Sequence, residues 1–332
     1  MRTVSFLGNT FAAGAAAAML AGCASAVPSS AAAVPAVQAR HPLNKASHAV
    51  AFLSDFNNDV VDIIDNQGNV TTLPATGPEG LAVDAKHNLY VVNAAYSDVM
   101  IFAPPYNGSP KVLANAGVMP IGVAVDRKGD VAVASVGTFS TGVGAVVFYG
   151  KGALKPTNIV DANREFAGDY YCAFDANGNL YVTSKNGSGP FEAGEIVGGI
   201  TGTAVTPLTT KNLVQYPSGI AVTGDGKIAI LDQSQKGSTA TIYTYNPPKG
   251  HSFGNPIATT ELAGANDAVA FAFTDRGRQV FSGDTYYTVG RVKSNHQTPM
   301  GQAQWFDYPS GGQVNDIGLG YGSVIVGAAV TR

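Results

Sequence analysis

The chain alternates short apolar runs with polar turns. Leu81–Val83 leads into the turn Asp84-Ala85-Lys86-His87-Asn88, and Leu89–Val92 follows as a second apolar run. The same unit recurs, in worn form, at Gly122–Val125, Cys172–Phe174, Ile220–Val222, Phe271–Phe273 and Ile317–Leu319. The turns that follow read Arg-Lys-Gly-Asp (127–130), Ala-Asn-Gly-Asn (176–179), Gly-Asp-Gly-Lys (224–227), Asp-Arg-Gly-Arg (275–278) and Tyr-Gly-Ser (321–323). Asn-Gly and Asp-Gly supply the positive φ that tight hairpins need. A third run, often aromatic, comes next in four units: Val99–Phe102, Ala145–Tyr149, Thr241–Tyr245 and Gln304–Tyr308. A period of roughly 40–50 residues with about four short strands per unit describes a propeller blade. Outside the first 22 residues no long apolar pattern has helical spacing. The pattern therefore predicts an all-β fold, a six-bladed β-propeller, with a solenoid or sandwich as the alternative.

Five complete blades are predicted to start at residues 78, 120, 169, 217 and 268. Ala49–Leu53, Val60–Ile64 and Val70–Leu73 read as the second, third and fourth strands of a sixth blade. Residues 314–319 supply its missing first strand, so the two ends of the chain close the ring; Val324–Val330 competes for the same role. The long loop 285–303 is expected to cap one face. The aspartates that end repeats, Asp84, Asp126 and Asp175, are expected to bind backbone amides of their own turns. Tyr90, Tyr149, Tyr181, Tyr243, Tyr245 and Trp305 fall on strands, where they serve as inter-blade packing or as an aromatic sugar-binding face.

Composition agrees with a turn-rich β protein: 40 Gly and 18 Pro in 332 residues, with 13% charged. The net charge of −3 and the lack of a basic stripe argue against a nucleic-acid partner. The five histidines (41, 48, 87, 251 and 296) have no metal-ligand spacing. No Gly-x-Ser-x-Gly elbow is present.

The N-terminus carries an address. Arg2 is the only charge in residues 1–22, and an Ala-rich apolar run follows it. The run is too short and weak to span a bilayer stably and reads as a secretory signal. Residues 24–47, rich in Ala, Pro and Ser, form a tether that fully extended reaches roughly 80 Å. Three segments result: a signal at 1–22, a tether at 23–47 and a propeller at 48–332. Leu20-Ala21-Gly22-Cys23 resembles the lipobox of bacterial lipoproteins at all four positions. That resemblance implies cleavage before Cys23 and lipidation of its thiol and new amine, with outer-membrane placement because Ala24 follows the cysteine. The other reading is an ordinary secretory signal cut at Ala24-Ser25-Ala26. Lipidation leaves Cys172 as a lone, buried structural thiol with no intramolecular disulfide.

Pro78-Glu79-Gly80-Leu81-Ala82-Val83-Asp84 and Pro217-Ser218-Gly219-Ile220-Ala221-Val222 resemble NHL repeats, a likeness that covers about residues 48–332. It implies a six-bladed ring used as a binding platform. The blade pattern is also similar to that of the gluconolactonase/regucalcin family, which binds a divalent cation on the propeller axis. Carried over, the resemblance implies metal ligands at Glu79, Ser218 and Asp267, with Asp267 also the catalytic residue that positions or deprotonates water. Ser218 stands where that family has Asn, and Asp267 lacks the family's following glycine. Asn315 and Asp316 are further candidate ligands.

Two functional readings follow. In the first the chain is a lipid-anchored cell-envelope module, expected to be monomeric and to bind an envelope protein, peptide or glycan, with no cofactor. In the alternative it is a metal-dependent lactone hydrolase holding one divalent cation, such as Ca²⁺, on the axis.

Overall fold

The computed structural model describes residues 50–137, 144–161, 168–185, 191–210, 214–233, 239–265, 267–284 and 300–331. The signal, Cys23 and the tether lie outside the described residues. Most of the expected capping loop, 285–299, lies outside them too; its last part, from Met300, begins a strand that continues to Asp307.

Six four-stranded antiparallel sheets form the fold. Their inner strands stand side by side around a common axis in a closed ring. In chain order these are Pro78–Val83, Val118–Val125, Asp169–Phe174, Pro217–Val222 and Ala268–Thr274, the starts of blades two to six. Blade one is composite: its inner strand is Ile325–Val330, and Ala51–Asp55, Val60–Ile64 and Val70–Pro74 complete it. The chain is a six-bladed β-propeller, as its repeats predict, and closed rings of this kind leave only short edges.

The closing strand is a correction to the sequence reading. Residues 314–319 are not the inner strand of blade one; Gln313–Tyr321 is the outer strand of blade six, paired with Met300–Asp307. The competing segment closes the ring instead, with Ala51 opposite Val330 and Ser54 opposite Gly327. The reason is steric. A methyl group placed on Gly327 would lie 2.2 Å from the carbonyl oxygen of Glu79 in blade two. One on Gly80 would lie 2.4 Å from the oxygen of Ile121 in blade three, and one on Gly122 would lie 2.5 Å from that of Tyr170 in blade four. Inner strands approach so closely that these positions require glycine. Val326-Gly327 meets that requirement in the closing strand.

The hairpins obey local chemistry. The Oδ1 atom of Asp84 accepts the N–H groups of Lys86 and Asn88, at 2.8 and 2.9 Å. Asp126 accepts those of Lys128, Gly129 and Asp130, and Asp175 those of Asn177 and Asn179, all at 2.8 Å. Asp65 makes the same bonds in blade one, to Gln67 and Asn69. Each carboxylate thereby satisfies amides that the ladder leaves unpaired.

Between blades lies the apolar core. Leu53, Phe281, Trp305 and Ile325 belong to one cluster that includes the seam of blades six and one. Phe281 and Trp305 lie with ring centroids 4.7 Å apart. Tyr149 and Tyr245 are fully buried, and Tyr90 and Tyr181 nearly so. They pack between blades, while Tyr243 is half-buried. Burying each large side chain contributes about 1.5–3 kcal/mol. Cys172 is buried, its thiol directed at the carbonyl of Ala132 at 3.7 Å.

Gly80→Ala is expected to destabilise the ring by about 1–3 kcal/mol, since the atoms it meets are backbone and cannot step aside. Gly108→Ala, whose methyl meets nothing within 4 Å, is expected to leave Tm unchanged. Thermal denaturation of both variants checks this; equal Tm values would refute the close-approach constraint.

Candidate functional site

Every blade carries a bulge at one place. The register between inner and second strands slips by a residue between Pro78 and Leu81, between Pro120 and Gly122, and between Asp169 and Tyr171. It slips again between Pro217 and Ile220, between Ala268 and Phe271, and at Ser54/Asp55 opposite the closing strand. A bulge leaves one residue out of the ladder and re-aims it. Aligned on the register, the bulged residues are Val326, Glu79, Ile121, Tyr170, Ser218 and Val269.

This alignment settles which expected site residues share a position. Glu79 and Ser218 are equivalent. Asp267 is not their counterpart, because Val269 occupies that place in blade six. Asn315 and Asp316 lie on the outer strand of blade six, opposite Trp305 and Gln304. Counting back from the matched strands Leu81–Val83 and Phe271–Phe273 gives the same answer, since Val269 stands where Glu79 does and Asp267 lies two residues before it, at the end of the crossover.

The side chains have distinct partners. Ser218 is fully buried and its hydroxyl donates to the carbonyl of Leu231, within its own blade. The Oδ1 atom of Asp267 accepts the side-chain amide of Gln233, while its backbone N–H donates to Asp284 at 3.0 Å. Burial pushes the Asp267 carboxyl up, opposed by the Gln233 bond. Glu79 is the one carboxyl among the six bulged residues. Loss of hydration pushes its pKa from 4.5 up to about 8. The shift favours the protonated acid, and a cation binding there would compete with that proton. Among the described residues no group of three or more His, Cys, Asp and Glu side chains is placed to hold a metal ion.

Tyr171 has a role that sequence reasoning missed. It occupies the inner-strand position where four other blades carry glycine (80, 122, 219 and 327) and blade six carries Ala270. Its side chain crosses the axis, and its hydroxyl donates to the carbonyl of Val326 on the opposite blade at 3.1 Å. Burial raises the pKa of this hydroxyl well above that of free tyrosine, and the neighbouring Glu79 carboxyl adds to the shift. The only sequence signal is a large residue at a position otherwise small.

Two sets of polar braces were likewise unread. Bulge carbonyls that miss the ladder find hydroxyls of the preceding blade: Ser54 donates to Glu79 O, and Thr183 to Ser218 O at 3.1 Å. The second strands of all six blades also carry a polar residue at one register position: Asp55, Asn93, Ser135, Ser184, Asp232 and Asp284. Five of them bind the crossover that enters the inner strand or the strand's first residue. Asp232 accepts the amides of Gln215 and Tyr216 at 3.1 and 2.9 Å, and Asp55 that of Val324 at 3.2 Å. Asp284 accepts the Asp267 amide, while Ser135 and Ser184 donate to Val118 O and Gly168 O, at 2.7 and 2.6 Å.

No protein-family model matches the chain, and no curated protein matches it. Solved structures share its fold. A chain of a nidogen/laminin complex aligns with a TM-score of 0.61 at 14% identity, over 86% of this chain and 98% of that one. A protein of unknown function from Bacteroides caccae gives 0.61 at 11% identity, over 86% and 100%. Hydrazine synthase from Kuenenia stuttgartiensis gives 0.55 at 17%, over 77% and 72%. At these identities the likeness is one of fold, and the class it supports is the β-propeller.

The Glu79 carboxyl makes ring stability depend on pH. Below about pH 4.5 it is protonated in the folded and unfolded chain alike. Between about 4.5 and 8 the unfolded chain releases the proton and the folded chain keeps it, so stability falls as pH rises, and the loss is complete above about 8. Asp62, pushed up to about 7 by burial and by Asp55, acts in the same direction. Glu79→Gln is therefore expected to gain Tm relative to the parent as pH rises through this window. A Tm difference that stays flat from pH 4.5 to 8 would contradict it.

Proposed function

We propose that the protein is an exported β-propeller, lipid-anchored through Cys23, that presents a binding surface at the bacterial cell envelope to a protein, peptide or glycan. The observation that carries this reading is the order of parts. A lipobox-like Leu20-Ala21-Gly22-Cys23 and an Ala/Pro/Ser-rich tether lead into a closed ring whose two faces are built of loops. Two or more acyl chains hold a protein firmly to a bilayer, at about 0.8 kcal/mol per buried methylene. A tether of this composition keeps the ring clear of the lipid surface. The nidogen/laminin complex supports use of the fold as an interaction module. Outer-membrane placement and a monomeric ring belong to the same proposal.

The test uses the full chain in a bacterial host fed labelled fatty acid. The parent is expected to carry label and sediment with membranes, and Cys23→Ser to lose the label and appear in the soluble fraction. An unlabelled parent would refute the anchor. Cross-linking on whole cells is expected to capture an envelope component reproducibly; a chain that captures none would count against the module.

A second reading, the metal-dependent lactone hydrolase, rests on the Glu79 carboxyl at an inner-strand bulge. It expects saturable binding of Ca²⁺, Mg²⁺, Mn²⁺ or Zn²⁺ by the full chain, lost in Glu79→Gln, together with turnover on a lactone panel. Calorimetry without saturable heat would exclude an axial cation and leave the first reading, which needs no cofactor.

A further inference from the structure

The face of the ring that carries the inner-to-second-strand hairpins has a groove of about 530 Å³ between blades five and six. Sites for small ligands span roughly 300–1,000 Å³. The two hairpins at this groove depart from the others. Blades two, three and four end the inner strand on Asp84, Asp126 and Asp175, whereas blades five and six have Thr223 and Thr274. The last turn residue changes as well, from Asn88, Asp130 and Asn179 to Lys227 and Arg278. Both hairpins have therefore moved their carboxylate off the strand end, to Asp225 and Asp275, and carry a basic residue at the last turn position.

Arg276 is the second observation. It is exposed on the groove wall and has no ion-pair partner among the described residues, where Lys227 is matched by Asp225 at 2.6 Å. Its backbone is left-handed, with φ 56° and ψ 31°, a region that disfavours any residue with a Cβ. A long cationic side chain held where glycine fits better points to a task for the guanidinium.

The rest of the groove defines the ligand. The hydroxyls of Thr244 and Tyr308 bond each other at 2.6 Å, which leaves one O–H and several lone pairs for a third group. Ile257, 47% exposed, and Pro309 add a small apolar wall. A guanidinium fork matches a carboxylate. A paired donor and acceptor match ring hydroxyls, and a short apolar wall matches the C–H face of a sugar.

We propose that this groove binds an acidic saccharide, with its carboxylate on Arg276, its hydroxyls on the Thr244–Tyr308 pair and one ring face on Ile257 and Pro309. The proposal deepens the reading of the protein as an envelope binding module and rests on it. The full chain is titrated with trigalacturonate, with a neutral trisaccharide and with inorganic phosphate. Saturable binding of trigalacturonate is expected, with roughly ten-fold weaker binding of the neutral sugar. Arg276→Gly suits the left-handed backbone, so it should keep the parental Tm while losing about ten-fold in affinity for the acidic probe. Binding should also weaken in about 1 M salt, where the screening length shrinks to about 3 Å. Tyr308→Phe should weaken both sugars. Failure of trigalacturonate to bind, equal binding of the neutral sugar, equal competition by phosphate, or an unchanged Arg276→Gly variant would each overturn the proposal. None of these outcomes touches the labelling and cross-linking tests, so failure of the groove and failure of the anchored-module reading are separable.

Discussion

Backbone pressed against backbone around the axis is the constraint from which the other features follow. Gly327 faces the Glu79 carbonyl, Gly80 that of Ile121, and Gly122 that of Tyr170, each too close for a Cβ. Each inner-strand ladder also carries a bulge, which leaves a carbonyl out of the ladder. Ser54 and Thr183 supply hydroxyls to two of those carbonyls across a blade boundary. The crossovers must then re-enter the ring at a fixed angle, which Asp55, Asp232 and Asp284 secure by accepting their amides. Close packing at the centre and hydrogen bonding at one rim thus hold the same inner strands from two sides.

Blade four breaks the small-residue rule with a purpose visible in the fold. Tyr171 fills the axis that the glycines vacate and ties blade four to Val326 of blade one. Glu79 sits beside that bridge, where loss of hydration raises its carboxyl to a pKa of about 8.

Much of this was legible in the chain, and the division is physical. Hairpin chemistry is local, so Asp84, Asp126 and Asp175 announced their turns and the blade starts at 78, 169, 217 and 268 match the observed strands. The third blade starts two residues earlier than its repeat suggested, at Val118. Ring closure is not local. Ile317–Leu319 looks like a repeat, and only the neighbouring carbonyl of Glu79 shows why Gly327, far away in sequence, marks the inner strand. The place of Asp267 was legible as well, since counting back from Phe271 as from Leu81 reaches Val269 and not Asp267. Tyr171 gave no local sign that its side chain spans the ring, since the partner lies 155 residues away.

The seam of the ring also fixes how the molecule meets a mechanical load. Val50 and Thr331 sit where blade one lacks an inner-to-second-strand hairpin, and they hold each other directly. The Thr331 amide donates to the Val50 carbonyl at 2.9 Å, and the Val50 amide to the Thr331 hydroxyl at 2.7 Å. Any pull transmitted through the residues preceding Val50 falls first on these two bonds and next on the pairing of Ala51 with Val330. At this seam the ring is closed by hydrogen bonds and not by a covalent connection. A pull applied at this end would therefore be borne by those hydrogen bonds before it reached the five uninterrupted blades.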